Sequence, residues 1–438
     1  MIWKDVPYWM TVDKEAYQFI LLADGSISLE EILKCIYEDD YLISVKREDI
    51  NNFVENLKKN NLFFNPNNQV QKSTIINNKK QLENITINTT KKCNLRCKHC
   101  FIKEYESNDT LSIESLKKFV QEGMNRNYLS KDFNLAILGG EPLLEKHKVI
   151  EIAKFGRELK KSVIVSTNGL LIDSNFAKKA SEFQLEVQVS LEGAKKETND
   201  QVRGKGTFEK VKEKIRVLVS NNVYTIISMV VHEDNYEEIE DLYHFGKDIG
   251  IDEIRYIPLK RMGQAKNNLK PISRKKLLYL IYNLVKKDPS IKKYLGRDFY
   301  SIMAKTCAYC SKTSYCGTGL KTILIDSDGE VYPCPNHNWL EFKSGNIHNN
   351  TFEEIWVNSP ILNKIRTIYN VNTINNECSN CVVKHWCAGG CRGEAYENTN
   401  DLTSKAVECE DIRESIIETF WILSNEDYSN YSKQREYF

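Results

Sequence analysis

The sequence lacks the features that mark nucleic-acid-binding or membrane proteins. Its 61 Lys+Arg and 60 Asp+Glu residues leave a formal net charge of +1, so no excess of one sign predicts a polyanion partner. No apolar run approaches the roughly 20 residues that span a bilayer. Lys4 and Asp5 interrupt the first stretch, so we expect no signal peptide. Repeats and low-complexity tracts are also missing. The length suits two or three domains. We expect a soluble cytoplasmic protein, which binds neither nucleic acid nor membrane.

Cysteine is what the sequence has in quantity. The chain contains 13 cysteines, an odd total that suits disulfide pairing poorly. A reducing cytoplasm disfavours disulfides, and a chain of this size does not need them. Eleven of the cysteines fall into spaced groups, which in such a chain indicates metal or redox chemistry.

Residues 1–64 are predicted to form a separate domain. Ser28 and Glu31 make an S-x-x-E capping box. Two amphipathic helices follow, and Leu62–Phe64 has the pattern of a short strand, so we predict a winged-helix module. The apolar positions of the two helices are Leu29, Ile32, Leu33, Ile36 and Tyr37, then Ile50, Phe53, Val54 and Leu57. Cys35 is predicted to be a buried apolar residue of the first helix.

Beyond a polar, Asn-rich linker over 65–84, residues 85–260 alternate between strands and amphipathic helices. The predicted helices include Ser112–Arg126 and Phe208–Asn221. The predicted strands are Ile85–Thr90, Phe133–Leu138, Val163–Ser166, Leu185–Leu191, Tyr224–Val231 and Glu253–Pro258. Six βα units predict an α/β fold with a parallel sheet, curved into a partial (β/α)6 TIM-like barrel, with functional residues at the carboxyl ends of its strands.

The rest of the chain divides into three predicted parts. Residues 261–306 form a helical, basic bridge, residues 307–415 a cysteine-rich domain, and residues 416–438 a terminal helix and tail. The last helix is expected near Ile412–Asn425.

The loop after the first barrel strand carries Cys93, Cys97 and Cys100 as C-x3-C-x2-C. Three thiolates on a short loop can hold three irons of a [4Fe–4S] cube and leave the fourth iron open. The alternative is a zinc site that His99 completes.

This motif resembles that of the radical S-adenosylmethionine (SAM) superfamily. In that family SAM binds the open iron, is cleaved to a 5′-deoxyadenosyl radical, and the radical abstracts a hydrogen atom from the substrate. Further positions match the family's SAM-binding pattern: Gly139, Gly140, Glu141, Ser166, Asn168, Ser190, Glu192 and Arg203. The resemblance implies that Gly139–Glu141 receives the methionine ammonium, Ser190 the ribose and Arg203 the methionine carboxylate.

The later cysteines follow the seven-cysteine signature of the SPASM subgroup of radical SAM enzymes, whose domain holds two auxiliary [4Fe–4S] clusters. The resemblance implies one ligand set of Cys316, Cys334 and Cys391, with Cys310 as a possible fourth, and a second set of Cys378, Cys381, Cys387 and Cys409. Cys307 is an alternative ligand, a substrate-handling thiol or a spare. Two structural zinc sites are the competing interpretation of the same spacing.

Residues 4–60 resemble the peptide-recognition element of enzymes that modify ribosomal peptides, through the turn Ala23–Ser28 and the helix that follows. Such a module implies a precursor peptide whose leader adds a strand to the sheet edge. The alternative is a helical domain that only stabilises the barrel.

We therefore predict a radical SAM peptide maturase with three [4Fe–4S] clusters, one of them binding SAM. It would form a thioether or a carbon–carbon crosslink in a precursor peptide and take electrons from a low-potential donor such as flavodoxin or ferredoxin. The rival enzyme is an anaerobic sulfatase-maturing (formylglycine-forming) enzyme, in which an aspartate follows the second cysteine of the seven, where this chain has Pro335. The non-enzymatic rival is a zinc-stabilised binding protein.

Overall fold

The computed structural model describes residues 2–3, 8–23, 26–38, 47–59, 81–102, 109–295 and 315–425. The predicted strand Leu62–Phe64, most of the linker, Cys307 and Cys310 lie outside these ranges. The chain divides into two compact units. One comprises residues 1–3, 8–79 and 423–438, and the other residues 4–7 and 80–422. Within the described ranges, no helix is both long enough and apolar enough to cross a bilayer.

The smaller unit has a two-residue antiparallel pairing of β1 (Ile2–Trp3) with β2 (Tyr8–Trp9). Its helices are α1 (Lys14–Leu22), α2 (Leu29–Glu38) and α3 (Arg47–Lys59). Helix α1 was not expected from the sequence. It begins at Asp13, whose carboxylate accepts the Ala16 N–H at 2.7 Å. The winged-helix assignment stays a prediction.

The capping box of α2 is present. The Ser28 N–H donates to Glu31 Oε2 at 2.7 Å, and the Glu31 N–H donates to Ser28 Oγ at 3.2 Å. Ile32 and Ile36 are buried on one face of the helix. The prediction that Cys35 is buried was wrong: Cys35 is exposed, because it lies on the flank of α2 outside the face that those two isoleucines form.

The larger unit is built on one sheet, in which all six predicted barrel strands appear within a few residues of their expected bounds. They are β3 (Leu82–Asn88), β4 (Leu129–Leu138), β5 (Val163–Thr167), β6 (Glu186–Ser190), β7 (Thr225–Val231) and β8 (Glu253–Pro258). They pair in chain order, all parallel. Parallel pairing of consecutive strands brings their carboxyl ends to one edge of the sheet, as in a partial βα barrel.

Helices connect these strands. In chain order they are α4 (Ile113–Asn125), α5 (Lys146–Glu158), α6 (Ser174–Glu182), α7 (Lys196–Arg203), α8 (Thr207–Ser220) and α9 (Ile239–Ile249), and then α10 (Ala265–Asn268) and α11 (Arg274–Lys287). Single 3-10 turns lie at Pro142–Glu145, Tyr236–Glu238 and Pro289–Lys293.

The five helices that lead into β4, β5, β6, β7 and β8 end in the same way. Each has a residue with positive φ just past its end, and the next N–H donates back five residues, the pattern of a Schellman turn. The positive-φ residues are Asn127, Lys160, Gln184, Asn222 and Gly250. This turn reverses the chain within a few residues. Each strand therefore begins shortly after the helix that precedes it ends.

The sheet continues past β3 into the cysteine-rich region. Strand β9 (Thr322–Ile325) pairs with β3 in parallel, and β10 (Glu330–Tyr332) and β11 (Gly345–Asn346) extend it antiparallel. A 3-10 turn lies at Leu340–Phe342. The helices that follow are α12 (Phe352–Trp356), α13 (Pro360–Ile368), α14 (Asn376–Asn380), α15 (Lys384–Cys387), α16 (Arg392–Thr399) and α17 (Cys409–Asn425).

Phe352 packs this C-terminal region against the barrel. Its ring is fully buried, 4.7 Å from the ring of Phe119 on α4 and 5.9 Å from that of Tyr128. Gly123 provides the space, because a Cβ there would lie 2.5 Å from Phe352 Cε2. Barrel and C-terminal region therefore share one apolar core, to which Phe352 and Trp356 both belong.

We expect Phe352→Ala to destabilise the protein by about 3–5 kcal/mol, because it leaves a cavity at this junction. The thermal unfolding midpoint, measured anaerobically on the cluster-loaded protein, should fall by several degrees. Leu340→Ala is the matched control, since Leu340 is 75% exposed, and it should change the free energy of unfolding by no more than about 0.5 kcal/mol. Equal midpoints for both variants would contradict a shared core.

Candidate active site

The loop with Cys93, Cys97 and Cys100 follows β3 at the carboxyl edge of the sheet. The Gly140 N–H donates to Thr90 O and the Glu141 N–H to Lys92 O, both at 2.8 Å. A Cβ at Gly139 would lie 2.3 Å from Thr90 O, and one at Gly140 would lie 2.2 Å from Lys92 O. Only glycine permits this approach. The two glycines therefore hold the segment that leads into Cys93, and both are themselves partly exposed.

Glu141 is fully buried, and its carboxylate is bound by the protein itself. It accepts the Leu143 N–H at 2.9 Å, the Thr167 hydroxyl at 2.6 Å and the Asn168 N–H at 2.8 Å. Burial raises the pKa of Glu141, against the effect of these hydrogen bonds. Its side chain ties the end of β4 to the end of β5, so the partly exposed groups of this turn are those of Gly139 and Gly140.

Asn168 reaches the cysteine loop directly. Its Nδ2 donates to Asn94 Oδ1 at 2.7 Å, and its Oδ1 accepts the Leu170 N–H at 3.0 Å. Asn94 lies between Cys93 and Leu95, inside the motif. Sequence reasoning missed this contact, although the position of Asn94 within the motif is a signal that could have suggested it.

A buried ion network lies on the other side of the loop. Glu192 Oε1 accepts from His99 Nε2 at 2.8 Å and from Arg203 Nε at 2.9 Å and Nη2 at 2.5 Å, while its Oε2 accepts the Val230 N–H at 3.0 Å. Burial favours a higher pKa for Glu192, but the charges of His99 and Arg203 outweigh it and lower the pKa to about 2. Glu192 is therefore ionised and saturated with donors.

Arg203 joins this network to the cysteines. Its Nη1 lies 3.8 Å from Cys97 Sγ, and the Lys98 N–H donates to Val202 O at 3.0 Å. Burial works against the charged form, yet Glu192 and Cys97 raise the pKa of Arg203 further. The end of α7 thus places a permanent positive charge beside the middle cysteine.

The three thiols of the loop interact with one another. Burial raises the pKa of Cys97 to about 11, with Arg203 acting in the opposite direction and Cys100 and Cys93 adding to the rise. Burial also raises the pKa of Cys93, whose Sγ accepts the Leu95 N–H at 3.4 Å. Thiolates bind metal, so a group of partly buried thiols whose ionised forms repel one another fits a site where iron supplies the compensating charge.

Ser166 and Ser190 lie on the partly exposed face of β5 and β6, the face opposite the buried valines of those strands. Ser190 pairs in register with Ser228 of β7, and Ser166 with Gln188. Gln188 Oε1 in turn accepts from Arg255 Nη1 at 2.9 Å. The carboxyl ends of the middle strands therefore present a polar inner face, and the contact of Ser190 with a ribose stays a prediction.

The structure brings Cys316, Cys334 and Cys391 together. Thr318 Oγ1 lies 3.2 Å from Cys316 Sγ and donates to Cys334 Sγ at 3.4 Å, and Asn336 Nδ2 donates to Cys391 Sγ at 3.7 Å. Burial raises the pKa of Cys334 to about 12, with contributions from Cys316 and Cys391. Cys391 and Cys334 raise the pKa of Lys260, which places a cation beside this group.

Cys378, Cys381, Cys387 and Cys409 form the other group. Burial raises the pKa of Cys387 to about 12, and Cys409, Cys378 and Cys381 add to the rise. Ala388, Gly389 and Gly390 after Cys387 all have positive φ, a left-handed turn that returns the chain toward Cys391. Among the described residues, no three His, Cys, Asp or Glu side chains are placed to hold a single metal ion.

Two family profiles match the chain. The radical SAM superfamily matches residues 87–246, and the SPASM iron–sulfur cluster-binding domain matches residues 316–382. The chain is a radical SAM enzyme with a SPASM domain.

This radical SAM enzyme has several curated relatives. The AdoMet-dependent heme synthase of Methanosarcina barkeri is 29% identical over 72% of this chain and 93% of its own length. The subtilosin biosynthesis protein AlbA of Bacillus subtilis is 26% identical over 82% of this chain and 78% of its own. A cysteine-type anaerobic sulfatase-maturating enzyme of Clostridium novyi is 26% identical over 73% of this chain and 90% of its own.

Two solved structures share its fold. The structure of anSMEcpe with bound AdoMet and the Cp18Cys peptide has a TM-score of 0.65 at 22% identity and covers 78% of this chain and 98% of its own. Streptococcus suis SuiB bound to its precursor peptide SuiA has a TM-score of 0.61 at 16% identity and covers 92% of this chain and 94% of its own. The α/β architecture with a radical SAM partial barrel and a SPASM domain is thereby confirmed.

The cofactors of this radical SAM enzyme are S-adenosylmethionine and [4Fe–4S] clusters, of which three are typical of the family. The zinc-stabilised binding protein and the zinc interpretation of the spacing do not hold, because the matched domain is an iron–sulfur one. The assignment of each cysteine to a particular cluster stays a prediction.

A short loop after β8 connects the loop of Cys93, Cys97 and Cys100 to the C-terminal region. The Gln264 N–H donates to Cys100 O at 2.8 Å, while the Arg261 and Gly263 N–H groups donate to Glu394 Oε1 at 2.7 Å and Glu397 Oε1 at 2.9 Å. Both glutamates lie on α16, which begins directly after Cys391. We call residues 260–264 the bridging loop, and it fixes the loop of Cys93, Cys97 and Cys100, the predicted catalytic loop, relative to Cys391.

We expect Gly263→Ala to disturb the catalytic cluster of this radical SAM enzyme. Gly263 has a φ of +54°, and a Cβ there would lie 2.5 Å from Cys100 O, so the cysteine loop must move. The purified variant should lose up to about four of twelve irons, from cubane stoichiometry, together with the SAM-dependent EPR signal of the reduced cluster.

Gly250→Ala is the control for that variant. Gly250 has a φ of +89°, but its Cβ would make only an ordinary contact at 3.6 Å with Val219 Cγ1, far from the cysteines in sequence. Gly250→Ala therefore carries the backbone strain of an alanine at positive φ, about 1 kcal/mol as in Gly263→Ala, but no steric clash. If both variants keep full iron and the same EPR signal, the bridging loop does not position the catalytic cysteines.

Proposed function

We propose that this enzyme is a maturase of a ribosomally made precursor peptide, and that it forms a thioether or a carbon–carbon crosslink. The observation that carries the proposal is the smaller compact unit, which lies outside both matched domains. A peptide-recognition module at this place would hold the leader and keep the core peptide at high effective concentration near the barrel.

The similarity to peptide maturases extends into that unit. AlbA aligns with 82% and SuiB with 92% of this chain, more in both cases than residues 80–422 can supply. The structure of anSMEcpe covers 78%. SuiB was solved with its precursor peptide bound. The smaller unit also contains residues 423–438, so it is the SuiB coverage that requires residues before 80 as well. That likeness supports a peptide substrate recognised through the N-terminal residues.

The SAM-bearing cluster supplies one-electron cleavage of SAM and, from it, removal of a hydrogen atom from the substrate. We assign Cys93, Cys97 and Cys100 as its ligands. Arg203 Nε and Nη2 are bound by Glu192, so Nη1 is the group that we assign to the methionine carboxylate. Glu141 and Asn168 position the turn and the loop. The partly exposed Gly139 and Gly140 backbone would receive the ammonium, and Ser190 the ribose.

We assign the two SPASM cysteine groups to the two auxiliary clusters. Such clusters can take up the electron left after coupling or bind a substrate thiolate. Both crosslinks remove two hydrogen atoms from the peptide, but only a thioether also consumes a cysteine thiol. A flavodoxin or ferredoxin is the donor that we propose for the catalytic cluster.

The sulfatase-maturing function is the second candidate, because such enzymes are among the relatives. Two features of this chain argue against it. Pro335 follows Cys334 where that group carries an aspartate, and anSMEcpe covers 78% of this chain against the 92% that SuiB covers.

Changing Cys93, Cys97 and Cys100 together to Ala should abolish formation of 5′-deoxyadenosine, because no iron site for SAM remains. About eight irons should stay with the protein, from two remaining cubes. Anaerobic iron analysis and chromatography of the SAM cleavage products measure both. Continued 5′-deoxyadenosine formation by this variant would rule out the assigned ligands.

Deleting residues 1–64 should separate SAM cleavage from peptide modification. The barrel and SPASM region lie in the other unit, so uncoupled SAM cleavage should persist within about twofold, while modification of a leader-bearing peptide should fall at least tenfold, the loss of about 1.4 kcal/mol of binding. Mass spectrometry of the peptide, before and after thiol alkylation, measures the modification and distinguishes a thioether from a carbon–carbon bond. Unchanged modification by the truncated enzyme would leave the unit with a structural role only.

A further inference from the structure

Arg392 is a buried arginine with most of its donors unused. It follows Cys391 as the first residue of α16 and is 1% exposed. Its Nη1 donates to Ser404 O at 2.7 Å. Its Nε and Nη2 are buried and have no hydrogen-bond partner. Within the described part of the chain, no carboxylate lies at ion-pair distance from it.

A buried guanidinium with unpaired donors destabilises the folded protein unless an anion accepts hydrogen bonds from it. A buried charge normally requires a counter-ion, and each unsatisfied buried donor costs about 1–3 kcal/mol, more when it is charged. Arginine cannot escape this cost by losing its proton. The two nitrogens without a partner therefore indicate that an acceptor with negative charge belongs next to the guanidinium.

The neighbours of Arg392 identify that acceptor. A Cβ at Gly389 would lie 3.6 Å from Arg392 Nε, and the backbone of Gly389 also binds the thiol of Cys387. Burial raises the pKa of Cys378, and the charge of Arg392 acts against that rise. The ring of Tyr369 lies 5.8 Å from the guanidinium carbon.

We propose that Arg392 donates Nε–H and Nη2–H to sulfur of the second auxiliary cluster and that its positive charge raises the reduction potential of that cluster. The proposal rests on the assigned ligand set Cys378, Cys381, Cys387 and Cys409. Hydrogen bonds to sulfur and net charge are among the main determinants of iron–sulfur potentials. A fixed cation stabilises the reduced, more negative cluster over the oxidised one. In this account Arg392 tunes the auxiliary cluster and contacts neither SAM nor substrate.

The experiment uses full-length, cluster-loaded enzyme carrying Cys93, Cys97 and Cys100 changed to Ala, so that only auxiliary clusters contribute to the EPR signal. Arg392→Gln and Arg392→Lys are made in this background and titrated electrochemically. Arg392→Gln should shift one auxiliary cluster to lower potential by about a tenfold change in its oxidised-to-reduced ratio, which is about 59 mV for one electron. Arg392→Lys keeps the charge and should shift it less.

Arg366→Gln is the matched control. Arg366 is also buried and also has a free nitrogen, Nη2, but it stacks on Trp356 at 4.3 Å and donates Nε–H to Gly319 O at 2.7 Å. Burial alone lowers the pKa of Arg366, without any contribution from a cysteine. This variant should lose stability but keep both auxiliary potentials.

Further outcomes of these measurements decide the proposal. The shift of Arg392→Gln should vanish when Cys381→Ala removes the second cluster, and a shift that persists there overturns the assignment. Iron loss from Arg392→Gln that Arg392→Lys prevents supports it. Unchanged potentials in Arg392→Gln, equal shifts in Arg366→Gln, or equal iron loss from both Arg392 variants overturn it. None of these measurements involves a peptide, so their failure is distinguishable from failure of the proposed function.

Discussion

The larger unit must concentrate negative charge in its interior, and this constraint shapes the rest of it. Each of the three cysteine groups is buried enough to raise the pKa of at least one of its thiols. Cations act on each group: Arg203 acts on Cys97, Arg392 acts on Cys378, and Lys260 lies beside Cys391. The local dielectric is low, so these charges act strongly, and their positions must be fixed by the fold.

Two of those cations lie at the ends of helices, so the fold fixes their positions. Arg203 is the last residue of α7, and Arg392 is the first of α16. The parallel sheet gathers the strand ends, and the repeated Schellman turns at the opposite edge set where each strand starts. The arrangement of charge around the cysteines is therefore a consequence of the barrel and of short connections, with Glu192 fixing the angle of Arg203.

Much of the fold and of the grouping of the cysteines could be predicted from the sequence. The six barrel strands were found because apolar runs alternate with amphipathic helices, and the cysteine groups because their spacing is specific. Strands β9–β11 were missed because they are two to four residues long and gain their stability from pairing with β3. Four of the five Schellman turns carry Asn, Lys or Gln at the position where Gly is the usual signal. The contacts Asn168–Asn94 and Arg203–Glu192 join residues 74 and 11 positions apart, which no local pattern encodes.

The bridging loop gives these separate groups a common frame. Its N–H groups bind Glu394 and Glu397 of α16 on one side, and Gln264 binds the carbonyl of Cys100 on the other. Arg392 is the first residue of the same helix. Helix α16 therefore contacts the catalytic loop through the bridging loop and directly follows the last cysteine of the first auxiliary group. It also presents a cation to the second auxiliary group. A displacement of α16 would therefore alter all three cysteine groups together. The radical SAM barrel and the SPASM region are for this reason expected to respond as one body to changes in α16, although they match two different families.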